Sequence, residues 1–347
     1  MSADPTARRG LMRHPMAKWA ILLAVLFALW FGGWFLVASL LNRGLGEAFA
    51  KVEAEQKIAI TCDGRDVVGF PFRMGLACER TGLATPEGAR FTAGSLRSAA
   101  QIYDLTRHVV ELGSPATIEG PQGTVEAQWQ TLRLFADGTT QGGYERISLT
   151  SDAPSVRTGA TAIAARSLEL HTRPVNDAAG APTHLDLALR TTRLQLPAPA
   201  GSAQPDPFDI VLQAQLDFGY AAMVEGGRSF EEWAKAGGRI LLQDVRLMMG
   251  ETGTLSFAGP LTIEDDGTLS GKVKVGVEGA DDIAAFAASL DPTLRDQVGS
   301  LMQAVAAMGQ PTSFASGERP AVEVTLERGA MRLGILPLGR IPPVVGG

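Results

Sequence analysis

The stretch 239–277, RILLQDVRLMMGETGTLSFAGPLTIEDDGTLSGKVKVGV, decides the fold. Apolar residues alternate along it with polar or small ones, the period of a half-buried strand, and Gly or Asp-Gly separates the runs. This pattern predicts four successive strands, 239–248, 253–259, 261–264 and 268–277. The same alternation marks 133–135, 167–171, 185–189, 210–218 and 322–326. Turn signals stand at Pro121-Gln122-Gly123, Ala136-Asp137-Gly138 and Asp265-Asp266-Gly267, where Asp-Gly supplies the positive φ of tight hairpins. Ser95-Leu96, Ser167-Leu168 and Asp244-Val245 share a texture that suggests repeated strand pairs at irregular spacing. The expected class is mainly β (α+β), a large antiparallel curved sheet or open sandwich. Forty glycines beside 14 Phe, 5 Trp and 3 Tyr suit a turn-rich chain with few large core fillers.

Two stretches change period. In 281–308, Ile283, Phe286, Ala287 and Leu290, then Leu294, Val298, Leu301, Met302 and Val305, recur at helical spacing, with Asp291-Pro292 between. A helical hairpin inserted in the β fold follows, its second helix opened by the proline. A short helix is expected at 230–236, capped by Ser229, with Glu231-Glu232 at its positive end. Ala-, Pro- and Gly-rich 178–183 and 197–207 read as loops.

Outside the β region, Trp19 to Leu41 is an uncharged run preceded by Arg8, Arg9, Arg13 and Lys18. About 23 residues at roughly 1.5 Å each cover a hydrocarbon core of about 30 Å. The reading is a cytoplasmic segment 1–18, a transmembrane helix 19–41, an amphipathic helical stalk 42–59 and an exported β domain 60–347, with the cations keeping the N-terminus inside. A cleaved signal peptide has a core of roughly 7 to 15 residues, and this run is longer. Ala48-Phe49-Ala50 keeps cleavage open as the alternative. A net charge of −6, with four of the cations ahead of the anchor, argues against nucleic acid as a partner.

An oxidising compartment would let the two cysteines, Cys62 and Cys78, pair as a disulfide; metal binding would need further ligands. Between them stands Gly69-Phe70-Pro71-Phe72-Arg73. Proline fixes one φ and glycine frees another, so this loop is rigid and apolar. Two readings stand. In one, Phe70 and Phe72 contact an acyl chain or partner and Arg73 an anionic headgroup. In the other, the aromatics plug the sheet and Arg73 caps backbone carbonyls.

Catalytic patterns are absent. His14, His108, His171 and His184 have no metal-ligand spacing, no serine stands in a GxSxG elbow, and 267–272 lacks the spacing of a phosphate loop. Asp265-Asp266 and Asp281-Asp282 do not continue into a calcium loop; they read as a turn and a helix start. The expectation is a chain that is not an enzyme, with no cofactor and no metal.

The order of anchor, Cys62, Gly69-Phe70-Pro71-Phe72-Arg73, Cys78 and a closing Gly334-Ile335-Leu336-Pro337-Leu338-Gly339 resembles the alphaproteobacterial family called domain of unknown function 2125. The resemblance covers most of the chain and implies topology and location, since no activity comes with that family. The β texture is also similar to the exported regions of AsmA-type envelope proteins, whose open β-grooves are implicated in lipid transport.

The sequence thus points to a single-pass bacterial inner-membrane protein with a periplasmic β domain. The expected function is envelope maintenance through a lipid or other apolar ligand on a sheet groove. The alternative is a scaffold recruiting envelope proteins through a sheet edge or the helices of 281–308. The bilayer is a partner in either case.

Overall fold

The computed structural model describes residues 15–345 except 122, 140–142, 177–181, 199–203 and 218–229. The apolar run and the stretch read as a stalk form one unbroken helix, α1 (Pro15–Gln56). By length and composition it can cross a membrane once. Beyond Phe31 its less exposed positions are Trp34, Ala38, Asn42, Leu45, Gly46, Phe49 and Val52. That three- and four-residue spacing makes a single stripe, and the stripe faces the β region. Arg65 seals it, donating to Asn42 Oδ1 at 2.9 Å with its guanidinium 5.7 Å from the centre of the Phe49 ring. A Cβ on Gly46 would stand 2.9 Å from Arg65 Nη2, so the helix leaves the cation room there.

After α1 every described strand pairing is antiparallel, and the chain alternates between two sheets. β1 (Ala59–Asp63) joins a small sheet, while β2 (Asp66–Val68) and β3 (Arg73–Cys78) join a large one. β4 (Arg80–Ala84) and β5 (Arg90–Ala93) return to the small sheet, β6 (Leu96–Gln101) and β7 (Asp104–Leu112) to the large. The exchange continues with β8 (Ala116–Gly120) and β9 (Gly123–Gln128), β10 (Thr131–Gly138) and β11 (Tyr144–Asp152), then β12 (Ser155–Thr158) and β13 (Thr161–Ala164). From β14 (Ser167–Asn176) onward all strands belong to the large sheet.

Each passage between sheets takes only a few residues, so the two sheets share a crease. Backbone bonds knit it: Gly94 N donates to Gly113 O, Gln130 N to Asp152 O, Ala153 N to Arg166 O and Ala165 N to Pro154 O. Two glycines permit the closest approach. A Cβ on Gly113 would lie 2.7 Å from Ser95 N, and one on Gly94 3.0 Å from Gly113 O. Ala93 and Ala116, register partners on neighbouring strands, are buried beside them.

The large sheet continues through β15 (Pro182–Leu194), β16 (Phe208–Leu216), β17 (Arg239–Met249), β18 (Gly253–Ile263) and β19 (Leu269–Glu278). The short helix α2 (Phe230–Lys235) precedes β17, and Ser229, its expected cap, lies outside the described residues. The stretch 239–277 holds three strands where alternation predicted four. Gly259 does not end a strand; it takes φ +148 inside β18, where any Cβ would meet Lys272 O at 2.2 Å, so β18 bends and continues. Asp137-Gly138, read as a turn, is a register shift at the end of β10. Gly120 and Gly123 are register partners across the β8–β9 pair, Gln122 lying outside the described residues, and Asp265-Asp266-Gly267 joins β18 to β19.

Two helices, α3 (Ala280–Leu290) and α4 (Leu294–Met308), follow β19 as the hairpin expected in 281–308. Asp291 accepts from Thr293 N and Oγ1 between them, and Pro292 precedes the cap residue Thr293 rather than opening the helix. Ile283, Phe286, Val298, Met302 and Val305 pack on Phe208, Met249, Val277 and Leu255. The chain closes with β20 (Gln310–Phe314), β21 (Gly317–Glu327), β22 (Ala330–Leu333) and β23 (Leu336–Arg340).

Asp282 locks α3 to the sheet. Its carboxylate accepts from the amides of Glu251, Thr252 and Gly253 and from Thr252 Oγ1, across the β17–β18 turn. The Thr252 amide above all, then its hydroxyl and the two neighbouring amides, hold the carboxyl below the usual Asp range. A depressed folded value stabilises above the unfolded one, about 3.9, and the contribution is lost as pH falls through the folded value. Asp282→Asn should therefore lower the melting temperature at neutral pH and flatten the acid limb of the stability profile. Thermal melts across pH 2 to 7 check it, and an unchanged acid limb would contradict the assignment.

Candidate functional site

The large sheet's register aligns apolar side chains into a row that crosses ten strands. Val110, Leu134, Leu149, Leu170, Leu189, Leu212, Val245, Phe257, Val275 and Val322 are successive cross-strand partners. Two residues along, on the same face, Leu132, Ser151, Leu168, Thr191, Ile210, Leu247, Leu255 and Val277 form a second row. Strands spaced about 4.8 Å apart make the first row on the order of 43 Å long.

The facing side of the small sheet is apolar too. Ile60, Leu83, Phe91, Ile118 and Val125 are register partners across five strands. Val156 and Ile163 extend this face beyond Ala127. The opposite faces are polar: Arg90, Glu119, Glu126 and Arg157 on the small sheet, Arg133, Glu169, Arg190 and Arg246 on the large.

Where the two apolar faces meet lies a cavity of about 420 Å³. Ile60, Leu83 and Phe91 line it from the small sheet, Leu76, Leu96, Val110, Leu112, Leu132, Leu134 and Leu149 from the large, and Phe49 from α1. The faces do not close on each other. Leu83, Ile118, Val156 and Ile163 keep 44%, 50%, 45% and 43% of their surface exposed. A hydrophobic patch this continuous is rare on a protein surface without a role in binding. At the opposite end of the large sheet α3 and α4 cover the same face, so the apolar lane runs from Phe49 to the helical hairpin.

Cys62 and Cys78 lie at disulfide distance, with Cα atoms 5.1 Å apart. They join β1 of the small sheet to β3 of the large and both line the cavity, so the crosslink sits in the floor of the groove. Phe70, Phe72 and Arg73 are elsewhere. Phe70 meets Phe31 and Trp34 edge to face at 5.3 and 5.5 Å and stacks on Phe35 at 6.1 Å, and Phe72 lies 6.2 Å from Trp30. Trp34 Nε1 donates to the Arg73 carbonyl at 3.2 Å. The loop neither plugs the sheet nor reaches the groove; it docks on the apolar part of α1. Gly69 at φ +114 closes it, accepting from Arg73 N where a Cβ would strike the Arg73 carbonyl.

His171 and His184 bond to neighbouring polar side chains. His171 Nδ1 bonds Ser148 Oγ at 2.8 Å on the polar face, and His184 Nε2 lies near Gln215 and Asp186. Among the described residues no three His, Cys, Asp or Glu side chains gather as metal ligands. Asp244, 2% exposed, pairs with Arg246 at 3.1 Å, a structural ion pair under the polar face.

A family model described as "Uncharacterized protein conserved in bacteria (DUF2125)" matches residues 34–342. The chain belongs to the DUF2125 family. The match takes in both sheets, the cysteine pair and the whole groove. No curated protein and no solved structure matches the chain.

Sequence reasoning missed the groove lining of this DUF2125 chain. Alternation marked several of these strands as half-buried, but it carries no information on which strands share a sheet or which faces oppose. The crosslink should be worth about 2 to 4 kcal/mol through the unfolded chain. Replacing Cys62 and Cys78 together by Ala should lower unfolding free energy by that amount in denaturant titrations. A change well under 1 kcal/mol would show the sheets held without it.

Proposed function

We propose that this chain holds a lipid or another apolar ligand, by its acyl chains, in the open groove between its two sheets, as a membrane-anchored envelope-maintenance protein of the bacterial inner membrane. The carrying observation is the unbroken apolar row from Val110 to Val322, whose near end, Val110, Leu134 and Leu149, lines an open cavity opposite a second apolar sheet. A chain evolved only as a scaffold has no need of Leu83, Ile118, Val156 and Ile163 half in water, because each forgoes further burial worth roughly 1 kcal/mol. Hydrocarbon in the groove recovers that burial. Phe49 lines the near end, so the groove begins beside the helix that enters the bilayer.

In this reading Arg8, Arg9, Arg13 and Lys18 hold the N-terminus in the cytoplasm and the β domain is periplasmic, where Cys62 and Cys78 oxidise. A reporter active only in the cytoplasm, fused after Gly347, should be silent; activity there would reverse the topology.

One observation favours a second reading, strand recruitment at the last hairpin. Ile335 is fully exposed and Leu336 53% exposed, beside the edge strand β23. Edge pairing of this kind captures a partner by backbone hydrogen bonds.

Mass spectrometry of lipid co-extracted with the purified full-length protein separates the two. Leu134→Asp and Leu189→Asp should each abolish co-purification, since a lone carboxylate against hydrocarbon costs several kcal/mol. Circular dichroism must show the sheet retained. Lipid on the folded variants, or none on the parent, would favour recruitment through β23.

A further inference from the structure

The tip of the β2–β3 hairpin does not stand alone. Ile102 N donates to Phe72 O at 3.1 Å, tying that tip to the β6–β7 turn. Together the two tips present Phe72, Tyr103 and Leu105 outward, 61%, 76% and 62% exposed. Three large exposed side chains at one end of one sheet form a patch, and the same end lies against Trp30, Phe31, Trp34 and Phe35 of α1.

Those helix residues fix the level of the patch. A core of about 30 Å takes about 20 helical residues. If the core starts at Pro15, the first described residue, it ends at about Trp34, and the tips stand at the boundary. If it ends at Leu41, where the apolar run ends, Phe31 lies ten residues inside it, about 15 Å deep. The first placement puts Phe70 and Phe72 at the boundary of the core and the second puts them inside it. Placing them in water would require the core to end before Trp30, leaving 15–29 of the described helix, about 22 Å, to cross it.

We infer that the paired tips Phe70-Pro71-Phe72 and Ile102-Tyr103 are immersed in the leaflet on the β domain's side of the bilayer, with lipid acyl chains and the interface as the partner of Phe72, Tyr103 and Leu105. Aromatic side chains favour that interface. The nearby charges are compatible with shallow seating. Asp104 is satisfied by Thr106 N and Oγ1 and pairs with Arg107 at 3.4 Å, which marks the headgroup side of the tips. β3 then rises from Arg73, level with Trp34, to Cys78 in the groove that Phe49 lines. The large sheet therefore stands with the tips of its first two hairpins in the bilayer and β3 leading away from it. This inference needs only that α1 crosses a membrane and does not depend on what the groove holds.

The test is depth measured by electron paramagnetic resonance on the full-length protein in vesicles of phosphatidylethanolamine and phosphatidylglycerol. With the native cysteines paired, Phe72→Cys, Tyr103→Cys and Leu105→Cys each offer one free thiol for a nitroxide, at exposed positions where folding tolerates the change. Glu126→Cys, on the polar face of the small sheet, is the water-exposed control. Labels at 72 and 103 should collide with oxygen several-fold more, relative to a water-soluble nickel chelate, than the label at 126. Leu105→Cys replaces either variant that fails to reconstitute. Tip labels as open to the chelate as the control would overturn the inference, whether or not lipid is found in the groove.

Discussion

The crease between the two sheets is the constraint on which the rest depends. A strand that crosses it within a few residues enters the second sheet with its facing fixed, because side-chain direction alternates with period two. The apolar side in one sheet then remains apolar in the next, and the two faces oppose each other without being sequence neighbours. Gly94 and Gly113 make the passage compact, since a Cβ at either would press on the opposing backbone. The groove is thus a consequence of how the strands fold over. Its lining comes from many strands that each contribute only one or two residues.

Three devices hold the groove's near end in place. The Cys62–Cys78 pair ties the sheets together in the floor, Arg65 fastens α1 over Asn42 and Phe49, and the Trp34–Phe70 contact fixes the helix higher up. All three lie within the first quarter of the chain, next to the segment able to cross a membrane. The far end is treated differently. There α3 and α4 lie on the apolar face, held by Asp282 on the β17–β18 turn, and bury what the small sheet leaves uncovered. One face of one sheet is therefore open along its middle and closed at the helical end.

The polar faces form a separate layer of the design. Ion pairs such as Arg133–Glu111 and Arg173–Asp186 lie across strands on the outside, exposed enough that each adds little stability. Their role is solubility and register. A one-residue slip would turn Arg133 and Glu169 inward and Leu134 and Leu170 outward, so the mixed faces specify the pairing strongly.

Local pattern alone determined much about this protein. The uncharged 19–41 run gave a helix long and apolar enough to cross a membrane, alternation gave an antiparallel β region, helical spacing gave the hairpin of α3 and α4, and the cysteine count gave one crosslink. These are legible because each depends on neighbours within one or two turns of chain. Tertiary structure decided the rest. Whether Gly259 ends a strand or bends one depends on Lys272 across the sheet, and whether Phe70 plugs a core or meets a helix depends on Trp34, thirty-six residues earlier. The opposition of Leu83 and Phe91 to Leu134 and Leu149 rests on long-range pairing across the crease. No local period encodes it, because a half-buried strand has the same alternation whichever surface it comes to face.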